Sequence, residues 1–250
     1  APLRLATLVI AYNRADYLKR ALLSIVASRL RYDASGQSFQ IYVSQDGENT
    51  NVSSVATAMG AISLVHPRVS LRIPSDMRHE PGYAYCAAHY GWAIEQIFES
   101  PARYSGVVLL EEDIEVAPDF FSYFAATAPL LYQDPTLLCV TAFNDHGQGG
   151  FVGNSTAVYR SDFFSGLGWL MSRRLWEEVR NTWPSHGVRS TVTYWDEWMR
   201  LPQQRRGRSS IRPEISRSFT FGETGTSHGQ FFTKYLSKIR LAKASEAVDW

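Results

Sequence analysis

The sequence has few cysteines, almost no net charge and no long apolar run, and each shortage excludes a class of protein. Its two cysteines, Cys86 and Cys139, allow at most one disulfide and fit no metal motif, so we expect buried free thiols. A net charge of +1 argues against a nucleic-acid partner, which would require clustered Lys and Arg. No apolar run approaches the ~18 residues of a membrane-spanning helix, so membrane attachment would need an anchor that is not present in this chain.

Strands and helices alternate along the chain. Hydrophobic residues make up 45% of it and charged residues 20%, which is typical of a globular protein, and 250 residues suffice for one large domain. The alternation predicts an α/β fold with a mostly parallel sheet and helices on both faces. From the apolar patterns we expect strands at 5–11, 39–44, 69–73, 107–110 and 137–142, and helices after Asp16 and at 83–98, 118–132, 173–181 and 230–246.

Ligand-type side chains follow three of these strands. Arg14 follows the first, Asp46 follows the second, and Glu111, Glu112 and Asp113 follow the strand at 107–110. The carboxyl ends of parallel strands meet on one rim, where open α/β sheets bind their ligands. Three adjacent carboxylates repel one another unless a cation or donors hold them, which indicates a divalent metal that grips a phosphorylated ligand. Taken singly, Arg14 and Asp46 favour a surface salt bridge or cap; together with the triplet they favour a nucleoside diphosphate site.

Two further segments carry residues suited to chemistry. In Tyr194-Trp-Asp-Glu-Trp-Met-Arg200 two Trp residues flank two acids. This pattern fits a general base beside an aromatic wall, and it fits equally an amphipathic helix that buries both Trp residues. The Gly-rich stretch 219–232 is typical of a mobile loop that offers backbone N–H groups to phosphate. His228 within it and His89 on the helix at 83–98 are lone histidines, for which a structural role is the default.

Five blocks, in order along the chain, resemble the β-1,2-N-acetylglucosaminyltransferases that act on mannose. The resemblance runs from the first strand to Phe232. Within that family, Ala117-Pro118 and the last two blocks resemble the N-glycan branch more than the branch that acts on O-linked mannose, although the latter shares the Glu-Glu-Asp triplet. The blocks are 112–121, 162–169, 195–200, 212–217 and 227–232.

This resemblance implies a GT-A fold and an inverting glycosyltransferase. The enzyme would move GlcNAc from UDP-GlcNAc in β-1,2 linkage to the α-1,3-arm mannose of the five-mannose N-glycan, with Mn2+ as the metal. By position, Asp113 matches the metal ligand and Asp196 the catalytic base, while Leu167 and Trp195 match residues that line the sugar site. The implied donor-binding residues are Arg14, Asp46, His89, Glu111, Glu112 and Ser227.

The resemblance also implies a domain organisation and a compartment. Residues 1–250 would form a single GT-A catalytic domain, with a nucleotide-sugar-binding half at 1–115 and an acceptor side at 116–250 that includes a mobile loop at 222–230. The second, smaller C-terminal domain of the family is expected to be absent. The expected partners are the donor and a mannose-terminated glycan or glycoprotein, in the Golgi lumen, without nucleic acid.

The chain departs from the N-glycan branch at several positions. Glu112 replaces an Asp, and Glu197 after Asp196 gives two candidate bases, of which we favour Asp196. Tyr12 and Gly47 replace the cysteines near the first two strands. Ser210 replaces the usual partner of Cys139, so both family disulfides should be missing. Three alternatives stay open: transfer to O-linked mannose, use of another UDP-sugar, and a non-catalytic module that binds a nucleotide sugar.

Overall fold

An eight-stranded sheet forms the centre of the computed structural model, which describes residues 3–71, 73, 81–184, 194–225, 229 and 231–250. The strands are β1 (Leu5–Ala11), β2 (Gln40–Asp46), β3 (Ile62–His66), β4 (Gly106–Glu111), β5 (Ile114–Val116), β6 (Leu137–Thr141), β7 (Val158–Ser161), β8 (Trp169–Ser172), β9 (Ser209–Pro213) and β10 (Ser218–Thr220). The helices are α1 (Ala15–Tyr32), α2 (Thr50–Ala58), α3 (Pro81–Glu99), α4 (Phe120–Thr127), α5 (Leu130–Gln133), α6 (Arg173–Val179), α7 (Trp195–Arg200) and α8 (Pro202–Arg205).

The sheet order is β3-β2-β1-β4-β8-β6-β9-β7, and β5 pairs with β10 separately. Strands β3, β2, β1 and β4 are mutually parallel, whereas β8 runs antiparallel to β4 and β6. Every residue of β1 is buried, because helices cover both faces of the sheet. Leu5 and Val9 of β1 pack on the face that carries α1 and α4, and Ala6 and Leu8 pack on the face that carries α3. The predicted α/β class with a mostly parallel sheet is confirmed.

Two predicted elements are wrong. The third strand lies at Ile62–His66, and the described residues of 69–73 form no strand. The helix predicted at 230–246 is absent from the described residues 231–246, which contain only two short 3-10 turns. Instead, the backbone of this segment bonds to distant residues: Arg240 N donates to Gly147 O at 2.8 Å and Ala242 N donates to Ser216 O at 2.9 Å. The helix predicted at 118–132 forms as two shorter helices, α4 and α5, with Pro129 between them.

A buried ion pair joins this C-terminal segment to α4. Arg217 and Asp119 are both almost fully inaccessible, and Arg217 Nη2 lies 3.1 Å from Asp119 Oδ2. The same carboxylate oxygen accepts from Val248 N at 3.0 Å and from Trp250 Nε1 at 2.9 Å. The Asp119 side chain therefore holds Arg217, just before β10, and the C-terminal residues Val248 and Trp250 at the start of α4. No helix in the described residues is long and apolar enough to cross a membrane.

Candidate active site

The parallel strands bring the predicted carboxylates to one rim of the sheet. Residue Ile10 of β1 is level with Glu111 of β4, and Ala11 is level with Gln45 of β2. Tyr90 of α3 connects this edge to α7, because its hydroxyl donates to Glu111 at the end of β4 and its ring stacks on Trp195, the residue before Asp196. We call the four acids along this edge, Asp46, Glu111, Asp113 and Asp196, the carboxylate rim. Burial and the charges of these acids raise the pKa of the Cys86 thiol on α3.

The three adjacent acids at the end of β4 are held by Tyr90 and Arg14. Glu111 Oε1 accepts from the hydroxyl of Tyr90 at 2.8 Å. Glu112 is buried; its Oε1 accepts from Arg14 Nε at 2.6 Å and its Oε2 from the backbone N–H of Tyr12 at 3.0 Å. Asp113 Oδ2 accepts from Arg14 Nη2 at 3.0 Å. Arg14 therefore joins Glu112 and Asp113, whereas Glu111 is held separately by Tyr90.

The surroundings raise the pKa of two of these acids. Burial and the neighbouring charge of Asp113 raise the pKa of Glu111 to about 7, while the Tyr90 hydrogen bond acts in the opposite direction. Burial also raises the pKa of Glu112, and the charge and hydrogen bond of Arg14 oppose that rise. The charge of Arg14 is thus what keeps a buried carboxylate tolerable at this position.

The Asp113 carboxylate packs closely against Gly222. A side chain at this position would clash with Asp113 Oδ2, because the segment after β10 lies against Asp113 and Phe221 N donates to Asp113 O at 2.9 Å. A single hard carboxylate fits a divalent metal whose remaining ligands come from phosphate oxygens and water. Within the described ranges, no three His, Cys, Asp or Glu side chains are grouped to hold a metal by themselves. The residues present therefore fit a metal that is bound jointly by Asp113 and by the phosphate oxygens of a nucleotide.

Replacement of Gly222 by Ala tests whether the position of the Asp113 carboxylate matters. We expect the Cβ to displace the Asp113 carboxylate and to weaken metal-dependent nucleotide binding by roughly 10–100-fold. Isothermal titration with UDP and Mn2+ measures the change. Gly149→Ala is the matched control, since nothing lies within 4 Å of a Cβ at that position. Equal affinities in the two variants would show that the Asp113 carboxylate does not need its present position to bind the metal.

Asp46 lies at the end of β2 among residues that sequence reasoning missed. Its Oδ1 lies 2.7 Å from His66 Nδ1, and its Oδ2 lies 3.2 Å from Arg68 Nη1. The Arg68 guanidinium sits 4.5 Å from the ring centre of Tyr12 and 4.6 Å from that of Tyr85. His66 is the last residue of β3, so a correct placement of that strand would have put it on the rim. These contacts agree with the alternative interpretation of the sequence, in which Asp46 forms a salt bridge. A role of Asp46 in donor binding stays a prediction.

His89 is a buried histidine in the helix layer. Its Nε2 lies 2.7 Å from Ser44 Oγ, and its ring stacks on His66 at 5.3 Å between centres. Burial lowers the pKa of His89 to about 3, so the ring is neutral at physiological pH. This position agrees with the structural default for a lone histidine, and contact with a donor stays a prediction.

Helix α7 confirms the amphipathic-helix interpretation of the Trp-rich segment, and the general-base role of Asp196 stays a prediction. Trp195 and Trp198 are only 7% and 4% exposed, as an amphipathic helix requires. Asp196 and Glu197 lie outside the core, and both pair with Arg200, at 3.3 and 2.6 Å. Asp196 is the less exposed of the two acids, at 38% against 57%, and its charge contributes to the raised pKa of Glu111. The geometry thus favours Asp196 over Glu197 as the acid that faces the rim.

Tyr90 connects this helix to the triplet. Its hydroxyl bonds Glu111, and its ring stacks on Trp195 with 4.4 Å between ring centres. Trp195 itself packs in the core, and its ring fills the space that a side chain at Gly166 would need. Leu167 is partly buried, and its carbonyl accepts from Ser218 Oγ at 2.6 Å. Roles for Trp195 and Leu167 in lining a sugar site stay predictions.

Both cysteines are free thiols, as predicted, but only Cys139 is buried, and Cys86 is partly exposed. Cys139 Sγ lies 3.3 Å from Ser210 Oγ, the residue in the place of its usual disulfide partner. Ser227 and His228 lie outside the described residues, as does part of the loop 222–230. Of that loop, Thr224 contacts Arg14, because its carbonyl oxygen accepts from Arg14 Nη1 at 2.6 Å.

Comparison with known proteins places the whole site within one family. The model of the GNT-I family matches residues 2–250. The chain belongs to the GNT-I family. It is 40% identical over 249 residues to the alpha-1,3-mannosyl-glycoprotein 2-beta-N-acetylglucosaminyltransferase of Arabidopsis thaliana, an alignment that covers 98% of this chain and 52% of that protein. The chain therefore spans about half the length of this curated relative, and the family resemblance seen in the sequence is confirmed.

Solved structures resemble this member of the GNT-I family more distantly. A mycobacterial protein aligns with a TM-score of 0.48 and 16% identity over 84% of this chain and 65% of that chain. Glucosyl-3-phosphoglycerate synthase from Mycobacterium tuberculosis, in complex with Mg2+ and UDP, aligns with a TM-score of 0.43 and 17% identity over 70% of this chain and 58% of that chain. At these values neither structure bears on the chemistry of the rim.

Proposed function

We propose that this chain carries the catalytic site of an inverting, metal-dependent GlcNAc-transferase. The reaction would move GlcNAc from UDP-GlcNAc to O2 of the α-1,3-arm mannose of the five-mannose N-glycan, in the Golgi lumen. The observation that carries the proposal is the carboxylate rim itself, where Asp113 pairs with Arg14 and where Tyr90 joins Glu111 to the Trp195 ring of α7. The activity named for the Arabidopsis relative supports the same assignment.

The donor would bind along the rim from Asp46 to Asp113. Asp46 suits a hydrogen bond to the ribose or base, and Arg14 suits the diphosphate, since guanidinium pairs strongly with phosphate oxygens. Asp113 would hold Mn2+, which supplies positive charge against the negative charge that develops on the departing UDP. Glu111, which accepts from the Tyr90 hydroxyl, suits a hydrogen bond to a hydroxyl of the transferred sugar.

Asp196 is the proposed general base. It would accept the proton of the mannose O2 hydroxyl while O2 forms its bond to C1 of GlcNAc and the bond from C1 to the UDP oxygen breaks. Attack from the side opposite UDP inverts the configuration at C1 and gives the β linkage. Arg200 contacts Asp196 and fixes the orientation of its carboxylate, and burial of Trp195 anchors the first turn of α7.

Transfer assays with two acceptors test the proposal. The chain is incubated with UDP-GlcNAc and Mn2+ and with either the five-mannose N-glycan or an O-mannosyl peptide, and the product linkage is determined. We expect a β-1,2 linkage on the N-glycan. Transfer to the peptide alone would reassign the acceptor. Absence of both transfer and UDP-GlcNAc hydrolysis, in a protein that still binds the donor, would favour a non-catalytic binding module.

Alkylation of Cys86 locates the donor independently of turnover. Because its pKa is raised, we expect slow labelling by iodoacetamide at neutral pH and faster labelling as rising pH produces thiolate. UDP-GlcNAc with Mn2+ should protect the thiol, because the donor would lie on the surrounding rim. Mass spectrometry identifies the labelled residue, and buried Cys139 serves as the internal reference. Identical labelling rates with and without donor would place the donor elsewhere.

A further inference from the structure

Arg14 connects three parts of the site through one guanidinium. Nε donates to Glu112 Oε1 at 2.6 Å, Nη2 donates to Asp113 Oδ2 at 3.0 Å, and Nη1 donates to Thr224 O at 2.6 Å. Glu112 is the fixed end of this arrangement, since it is buried and also bonded to the backbone N–H of Tyr12. The two Nη atoms are the ends of the guanidinium that reach toward Asp113 and toward the segment after β10.

The oxygen that Arg14 contacts is the one beside the glycine. A Cβ at Gly222 would meet Asp113 Oδ2 first, so this oxygen packs against Gly222 and also accepts from the guanidinium. A divalent metal and a guanidinium on one carboxylate oxygen would repel each other. In the absence of nucleotide, Arg14 therefore competes with any metal for Asp113.

The Arg14 side chain also borders a cavity into which it can move away from Asp113. This cavity of about 630 Å³ lies on the side of α1 and α2 and is also lined by Asn13, Asp16, Tyr17 and Lys19. Its side chain is 24% exposed, and its Cζ lies 4.7 Å from the Tyr17 ring centre. A diphosphate that arrives at the rim would offer oxygens that pair with both Nη atoms, while the bond from Nε to Glu112 remains in place.

We propose that Arg14 is the counter-cation of Asp113 in the metal-free protein and that a nucleoside diphosphate draws it away, so that nucleotide binding opens Asp113 to the metal. The proposal rests on the proposed function for the identity of the metal ligand. In this proposal Glu112 holds the Nε atom of Arg14 and orients the guanidinium. Because such coupling is reciprocal, bound metal raises the affinity for nucleotide by the same factor.

The test measures Mn2+ binding without turnover. Dissociation constants for Mn2+ are determined by electron paramagnetic resonance, with the protein alone and with saturating UDP. For Arg14→Met we expect Mn2+ to bind about tenfold more tightly than to wild type when UDP is absent, and we expect the tightening caused by UDP to shrink by a similar factor. The affinity for UDP itself should fall. A merely structural role for Arg14 predicts the opposite, a loss of Mn2+ affinity.

Two other variants keep the test decisive. Arg14→Lys retains a charge for buried Glu112, but its single ammonium cannot span Glu112 and Asp113, so we expect a smaller gain in Mn2+ affinity. Arg160→Met is the matched control, because it removes a guanidinium that pairs with a carboxylate, Asp134, on the surface and away from Asp113. Unchanged or weaker Mn2+ binding in both Arg14 variants overturns the proposal. A wild-type protein that binds neither Mn2+ nor UDP overturns the proposed function instead.

Discussion

Replacement of Asp196 by Asn is expected to lower the rate of GlcNAc transfer by roughly 10²–10⁴, the usual contribution of a general base. Asn keeps the size of the side chain and a contact to Arg200, but its amide cannot accept the proton of the mannose hydroxyl. Affinity for UDP-GlcNAc should stay within about twofold of wild type, since an interaction made only in the transition state does not affect ground-state binding. Steady-state kinetics and donor titration measure the two effects.

Glu197→Gln is the control for Asp196. Both acids lie on α7, and both pair with Arg200, so loss of either disturbs the helix similarly. We expect the Glu197 variant to retain most of the transfer activity, because Glu197 is the more exposed acid. A large loss in Glu197→Gln combined with normal turnover in Asp196→Asn would move the base to Glu197.

Replacement of Asp119 by Ala is expected to lower the free energy of unfolding by about 3–5 kcal/mol, the usual effect of breaking a buried ion pair. The change leaves the Arg217 guanidinium, which is 0% exposed, without its carboxylate. It also removes the acceptor of Val248 N and Trp250 Nε1. Urea denaturation followed by tryptophan fluorescence measures the loss.

Two variants separate this effect from a general loss of charge. Asp134→Ala breaks a pair with Arg160 that lies on the surface, and surface pairs contribute little to stability, so a much smaller change is expected. The double variant Asp119→Leu, Arg217→Met should recover part of the stability, because it removes both buried charges. If Asp119→Ala and Asp134→Ala were equally stable, the buried pair would not be what holds the C-terminal segment.

The strands that are buried on both faces could be read from the sequence. β1 and β4 are continuous aliphatic runs, and in an α/β fold such runs form central strands that are buried on both faces. The edge strand β3 was misplaced because the alternating residues at 69–73 carry a stronger strand pattern than Ile62–His66, three of whose side chains are exposed. The segment 230–246 has helical composition, but its backbone is bonded to Gly147 and Ser216, and contacts so distant in sequence leave no local signal.

The candidate site was predictable where topology determined it. Residues at the ends of β1, β2 and β4 had to share a rim once the strands were parallel. The directions of their side chains were not predictable: Glu112 points to the backbone N–H of Tyr12, and Asp113 points to Arg14. Arg68 was missed because its contact with Asp46 depends on the placement of β3.

Metal-dependent binding of the donor tests the central claim most directly. Isothermal titration of UDP-GlcNAc is performed with wild type and with Asp113→Asn, each with and without Mn2+, and with Asp134→Asn as a control far from the rim. The account predicts that Mn2+ strengthens donor binding to wild type and to the control, and that Asp113→Asn loses this gain. Donor binding to Asp113→Asn that still strengthens with Mn2+ as in wild type would contradict the account.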